Sequence, residues 1–267
     1  MNSESITGKN NVFEPDTFQY FKGEIDSNTE NYIFNTINRF TKLNNRSQVL
    51  DIGSGTGRFI KPYLDFAGHV YLLDTSDNMI KHLENKFISY HNKKIIKSDA
   101  QKIPIGNNIL DIITANNLFL NIRNYRNVIK EIDRILKING FFVIGGDKPI
   151  DDPVSCYFSD ILNIKSKLTL MLSTQGVNRS VILKYIKKKY PHFKHLTPDS
   201  IYISYYVTTD YISRIKIYEE KSIPILKNLS FTTHKKLINK LYNHFSSVLY
   251  KEINIRYNYK IDILKKE

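Results

Sequence analysis

The chain has 267 residues, 41% of them hydrophobic and 24% charged, with one cysteine and a formal net charge of +13. A single cysteine excludes an internal disulfide and is expected of a reducing cytoplasm. No apolar run approaches the roughly 20 residues of a membrane span, the polar start from Met1 to Asn10 does not read as a secretory signal, and no His/Cys cluster has metal-ligand spacing.

The basic excess is uneven. Residues 1–150 carry 19 Lys/Arg against 16 Asp/Glu, and residues 151–267 carry 20 against 10. The excess is mostly Lys in a chain rich in Ile and Asn, as AT-biased coding gives. Lys187-Lys188-Lys189 and Lys235-Lys236 read as solvated helix faces, and no Arg-rich or Gly-aromatic nucleic-acid motif is present. Specific nucleic-acid binding is therefore not expected; service to an anionic partner is the second reading of the charge.

In chain order, an aromatic stretch from Phe13 to Phe21 precedes a helix expected over Thr29 to Leu43. Thr29 or Asn31 would cap it, with Ile33, Phe34, Ile37 and Phe40 facing inward. Val49-Leu50-Asp51-Ile52 is a β-type run that opens into Gly53-Ser54-Gly55-Thr56-Gly57. A cofactor loop at the carboxyl end of a strand has this form. The G-x-G-x-G spacing is one residue shorter than a dinucleotide loop, and no Lys-Ser or Lys-Thr follows as in a triphosphate loop. A plain strand-to-helix turn would also use glycines, because Gly adopts positive φ without strain.

A second strand, Val70 to Asp74, ends in an acid 23 residues after Asp51. Thr75-Ser76 then cap a helix with Met79 and Ile80 in its first turn. Lys94 to Ala100 is a third strand ending at Asp99, and Leu110 to Asn117 a fourth ending at Asn116-Asn117. A helix from Asn124 to Lys137 closes at Asn139-Gly140, and Phe141 to Gly146 is the fifth strand. Alternating helices and continuously apolar strands predict a parallel sheet covered on both faces. Asp151 to Tyr190 reads as helical, broken at Gly176-Val177-Asn178. Ile201 to Val207 is strand six, Thr208-Thr209-Asp210 cap a helix from Tyr211, and Thr232-Thr233 cap another through Leu249. Asn254 to Leu264 alternates as the closing strand.

The loop, Asp74, the Asp99-Ala100 segment and strand four, in this order and spacing, resemble class I S-adenosylmethionine (SAM)-dependent methyltransferases. Thr209 to Arg214 and the alternating ending are similar to the small-molecule, trans-aconitate-methyltransferase-like branch. The resemblance spans about residues 13–264. It implies a Rossmann-like, doubly wound α/β fold. Its seven-stranded sheet would be mostly parallel with an antiparallel last strand, and a helical substrate cap would lie between strands five and six. The implied divisions are a flexible lid at 1–26, a SAM-binding core at 27–150, the cap at 151–200 and the completion of the sheet at 201–267.

The cofactor implied is SAM. Asp51, Gly53, Ser54, Gly55 and Gly57 would hold it at the loop. Asp74, with Thr75 beside it, would accept from both ribose hydroxyls, which suits an acceptor-only carboxylate. Met79 would rest against the adenine, Asp99 and Ala100 would read its edge, and Asn116 and Asn117 would border the loop. Tyr20 would close over the methionine end, with Lys22 where many relatives carry an Arg.

Relatives of this branch often read A-Q-A-F-H-W after strand four. Asn116 to Asn121 match that segment here, with Leu120 at the His position. A base must then come from the cap, where Tyr157, His192, His195 and Tyr205 are candidates, or none is needed. Tyr20 is a further weak candidate, and no catalytic residue is assigned. A carboxylate acceptor needs no base, since it is ionised at neutral pH and its charge cancels against the sulfonium. The expected activity is O-methylation of a small molecule, a carboxylate in the simplest case, ahead of N- or C-methylation. A tRNA or protein methyltransferase, or a SAM-binding scaffold without transfer, are the alternatives. Oligomeric state is not legible.

Overall fold

The computed structural model describes residues 25–162, 176–219, 226 and 229–267. Eight α-helices and eight strands are described, in an α/β arrangement. Helices α1 (Ser27–Thr41), α2 (Lys61–Phe66), α3 (Asp77–Lys86) and α4 (Tyr125–Ile135) alternate with strands β1 (Gln48–Ile52), β2 (His69–Asp74), β3 (Lys93–Lys97), β4 (Leu110–Asn116) and β5 (Leu136–Pro149). Then follow α5 (Pro153–Ile161), α6 (Arg179–Lys189), β6 (Phe193–His195), β7 (Ile201–Asp210), α7 (Tyr211–Glu219), α8 (Phe231–His244) and β8 (Glu252–Lys266).

Helix starts follow side-chain capping, though not always at the expected residue. Asp26, rather than Thr29 or Asn31, caps α1 by accepting from the Asn28 and Thr29 amides at 3.0 Å. Ser230, rather than Thr232, caps α8 through the Thr233 amide. In both places several capping residues stand in a row, and the first one reaches the orphan amides of the opening turn. α4 ends two residues earlier than expected, at Ile135. The chain there enters β5 through a bulge between Leu136 and Phe141 that contains Asn139 at φ 65°.

The strand order is β3-β2-β1-β4-β5-β8, with β1 to β5 parallel and β8 antiparallel to β5. β6 and β7 share the lane beyond β8. Eight strands therefore occupy the seven lanes expected, the outermost being interrupted at residues 196–200, where Ser200 takes φ 56°. The order reverses between β1 and β4, and that switch point opens a crevice outside the carboxyl ends of the strands.

Two apolar layers sandwich the sheet. On one face Ile33, Phe34 and Ile37 of α1, Tyr63 and Leu64 of α2 and Leu83 of α3 pack on Val49, Val70, Ile112 and Val143. On the other, Val128, Ile129 and Ile132 of α4 and Ile182 and Ile186 of α6 pack on Leu50, Ile113 and Phe142. A third cluster stands apart: Val154 and Phe158 of α5, Ile215 and Tyr218 of α7, and Leu237, Ile238 and Leu241 of α8. The helical module is thus assembled from both sides of β6 and β7. The expected cap at 151–200 is split, because α6 buries its apolar side on the sheet while α5 buries its own on α7 and α8. No helix among the described residues is long and apolar enough to cross a membrane.

Candidate functional site

The crevice at the switch point is built first from main chain. Gly53, Gly55 and Gly57 take φ of 71°, 51° and 66°, the left-handed region that favours glycine. The Gly53 and Ser54 amides donate to the Leu73 carbonyl at 2.7 and 3.0 Å, folding the loop over the tip of β2. Space separates the roles of the glycines. A Cβ on Gly57 would lie 2.5 Å from Phe87, whereas one on Gly55 would meet nothing within 4 Å. Gly57 packs against the protein; Gly55 faces open space.

Asp74, at the tip of β2, accepts the Gly55 amide at 2.9 Å on one oxygen and the Ser76 amide at 3.0 Å on the other. Each oxygen keeps a further lone pair. Thr75 is exposed beside it, and Met79 is buried in the first turn of α3, its amide capped by Ser76. The β3 tip joins through the Ser98 amide, which donates to the Asp74 carbonyl. Asp99 is half-buried and accepts from the Gln101 amide and side chain, and Ala100 is buried beside it.

Asp51 is buried at the end of β1. Its Oδ1 accepts from Thr114 Oγ1 at 2.5 Å and Asn116 Nδ2 at 3.3 Å, both on β4. Burial pushes its pKa up to about 6, partly offset by these hydrogen bonds. Asn116 in turn accepts from the Tyr259 hydroxyl of β8. Asn117, at φ 53°, donates to Asp147 at 2.8 Å. The structure thus brings together the expected residues of β1, β2, β3 and β4. Tyr20 lies outside the described residues.

Beyond β4 the edge becomes a side-chain network that sequence reading had largely missed. Asp147, at the β5 tip and 4% exposed, accepts from Arg58 at 2.8 Å, from Asn117 and from the Tyr205 hydroxyl. The Arg58 guanidinium lies 5.6–5.8 Å from the ring centres of Phe59, Tyr205 and Tyr257, and its Nε is buried without a partner. On the opposite face Arg179 pairs with buried Asp262 and donates to the Lys260 carbonyl. In the helical module Arg214 pairs with buried Asp152. The signal available in the sequence was Gly145-Gly146 at the end of strand five, which marks close approach of neighbouring side chains.

The expected base candidates fall elsewhere. His192 is bonded to Asp133 at 2.8 Å and His195 to Asp262 at 3.1 Å. Their segment pairs with Leu264–Lys266, beside the start of the regular part of β5 at Phe141 and so toward the end of the sheet opposite the glycine loop. Tyr157 stacks on His244 at 3.6 Å inside the helical module. Of these candidates only Tyr205 reaches the crevice network, and burial raises its pKa, as it does those of Tyr257 and Tyr259. These hydroxyls are protonated at neutral pH and can donate but not act as bases.

Comparison with known proteins finds the same fold. Residues 50–144 match the methyltransferase domain family. A demethylmenaquinone methyltransferase of Staphylococcus aureus is 29% identical over 129 residues, 45% of this chain and 54% of its own length. The chain thus spans about half the length of such curated relatives. The YcgJ protein of Bacillus subtilis has the same fold, with a TM-score of 0.57 at 17% identity, over 91% of this chain and 99% of its own. A Haemonchus contortus phosphoethanolamine N-methyltransferase 2, solved with phosphomonomethylethanolamine and S-adenosylhomocysteine (SAH), aligns with a TM-score of 0.50 at 15% identity. That alignment covers 92% of this chain and 55% of its own.

Proposed function

We propose that this chain, whose residues 50–144 match the methyltransferase domain family, transfers the methyl group of SAM to a small molecule. The observation that carries the reading is Asp74 holding the Gly55 amide beside open space at the switch point. In this reading Gly53, Ser54, Gly55 and Gly57 shape the seat of the methionine part, and Asp51, whose Oδ2 takes neither the Thr114 nor the Asn116 bond, receives its ammonium. Asp74 takes the ribose hydroxyls on its spare lone pairs, with Thr75 at the rim. Met79, Asp99 and Ala100 border the adenine, and Asn116 and Asn117 border the transferring methyl. Tyr20 would close the site from the segment ahead of α1, whose first turn starts near the β1 loop: Glu30 there accepts from the Lys61 amide.

Bound SAM supplies an activated methyl on a sulfonium. The protein's part is to align acceptor, carbon and sulfur, and to exclude water. With the crevice tyrosines protonated and His192 and His195 away from it, an acceptor that arrives ionised fits best. A carboxylate is the simplest case, with an O-methyl product. The relatives' names speak for small-molecule acceptors, and only that class is carried over.

Calorimetry with SAH should give an affinity near micromolar, about −8 kcal/mol, and NAD should give none. Extracts supplied with enzyme and SAM should show a small-molecule product heavier by one methylene. Methyl incorporation confined to RNA or protein would overturn the acceptor class. SAH binding without any product would favour a scaffold.

A further inference from the structure

Tyr259, on the last strand, is three lanes from the glycine loop, yet its hydroxyl is wired to it. The chain runs from Tyr259 on β8 to Asn116 on β4 to Asp51 on β1. It crosses β5 at Gly145. A Cβ there would lie 2.0 Å from Asn116 Oδ1 and 2.1 Å from the Tyr259 hydroxyl, so the hydroxyl reaches β4 only because residue 145 is a glycine. Tyr259 and Asp51 are both buried, which makes each unmade hydrogen bond expensive. The direction of the chain is fixed by chemistry. An ionised carboxylate only accepts, so Asn116 must turn its Nδ2 to Asp51 and its Oδ1 to Tyr259, whose hydroxyl donates.

We propose that Tyr259 is a positioning residue for cofactor binding, which locks the Asn116 amide so that Asp51 stays ionised and free to receive the cofactor's ammonium. This rests on the reading of the loop as the SAM seat. Without the hydroxyl the amide is free to rotate, and a carbonyl oxygen turned toward Asp51 would favour its protonated form. The other titratable or charged groups around this chain are Asp74 from β2, Tyr63 from α2 and Glu30 from α1, with Asp147 of β5 and Arg179 of α6 facing Tyr259. None of them hydrogen-bonds to Asp51 or Asn116.

The test is SAH binding by calorimetry from pH 5 to 8 with wild type, Tyr259→Phe, Asn116→Ala and the double variant, after each is shown to melt cooperatively. Wild-type affinity should rise with pH through about 6 and level off above about 7. In Tyr259→Phe the rise should move up by about one pH unit, giving binding roughly tenfold weaker near pH 5 and about fivefold weaker near pH 6, a deficit that closes by pH 8. Adding Tyr259→Phe to Asn116→Ala should change affinity less than twofold, since Tyr259 acts only through Asn116. If Tyr259→Phe does not fold, the pH profile of Asn116→Ala, which removes the amide through which Tyr259 acts, should carry a comparable upward shift. An unshifted pH profile in a folded variant, or a loss that adds fully to that of Asn116→Ala, overturns the proposal. A wild type that does not bind SAH at any pH overturns the cofactor reading, and the proposal falls with it.

Discussion

The two halves of the carboxyl edge are held by different means. On the β3-β2-β1 side, amides of the glycine loop close onto the Leu73 carbonyl and onto Asp74, in contacts between neighbouring parallel strands. On the β5-β8-β7 side, side chains far apart in sequence meet: Arg58 with Asp147, Tyr205 with Asp147, Arg214 with Asp152. Main-chain geometry tolerates few residue types, because a positive φ and a close approach exclude most side chains. A side-chain network can be assembled from many positions. The first half should therefore be brittle to backbone changes, and the second to the loss of a single charge.

The sharpest way to break that contrast is in the helical module. Asp152 is buried, caps α5, and accepts from Arg214 and Ser155. Asp152→Ala leaves a buried guanidinium uncompensated and should cost about 3–5 kcal/mol in urea unfolding. SAH affinity of the folded fraction should stay within about threefold. A comparable loss of SAH affinity would show that the halves are one unit.

Next in size are the glycines. Gly57→Ala puts a Cβ within 2.5 Å of the Phe87 ring at positive φ and should cost about 2–4 kcal/mol of stability. Gly55→Ala, with open space beside it, should cost only the backbone strain of about 1–2 kcal/mol. Its main loss should be SAH affinity, because the added methyl occupies the cofactor side. Equal stability losses in both variants would remove the distinction between a packing glycine and a ligand-facing one.

How legible each half was in the sequence follows the same line. The strand ends near Asp51, Asp74 and Asn116 could be placed because apolar runs ending in an acid or amide mark where a buried strand reaches solvent, whereas β3 ends at Lys97, short of the expected Asp99. The split outer lane, the bulge at Asn139 and the shifted caps at Asp26 and Ser230 were not legible, since adjacent polar residues offer alternatives of nearly equal energy. His192 and His195 looked like catalytic candidates by residue type alone. Only the pairing of their segment with Leu264–Lys266 sets them toward the far end. Arg58 stood in plain view beside Gly57, but nothing local says that it reaches Asp147, 89 residues on.

Asp74→Ala tests the cofactor half directly. It removes a charged acceptor from the Gly55 and Ser76 amides and, in the proposed reading, from the ribose hydroxyls. SAH affinity should fall by about 1.5–3 kcal/mol, with a smaller change in stability because both amides lie at a partly open rim. An unchanged titration would remove Asp74 from the site.

The smallest effect separates the halves by pH. Both carboxyl groups pushed upward by burial, Asp51 to about 6 and Glu30 to about 7, belong to the cofactor half, where Glu30 lines a cavity of about 10 Å³ with Thr114, Asn116 and Tyr259. Asp147, Asp152 and Asp262 of the other half each sit against an arginine. For Glu30 the folded pKa lies above the ordinary value of 4.5, so the folded state holds its proton more tightly than the unfolded chain. Its stabilising contribution is full below about 4.5 and is lost as pH rises through about 7. Through this residue the free protein should lose stability between pH 5 and pH 8. Glu30→Gln, which keeps the shape and cannot ionise, should flatten part of that slope by about 1 kcal/mol, partial exposure of the carboxyl screening the remainder. Urea unfolding of both proteins at pH 5 and 8 measures it. A stability difference between them that is the same at both pH values would show that Glu30 is not buried as the fold places it, and that the cofactor half carries no excess pH sensitivity through this residue.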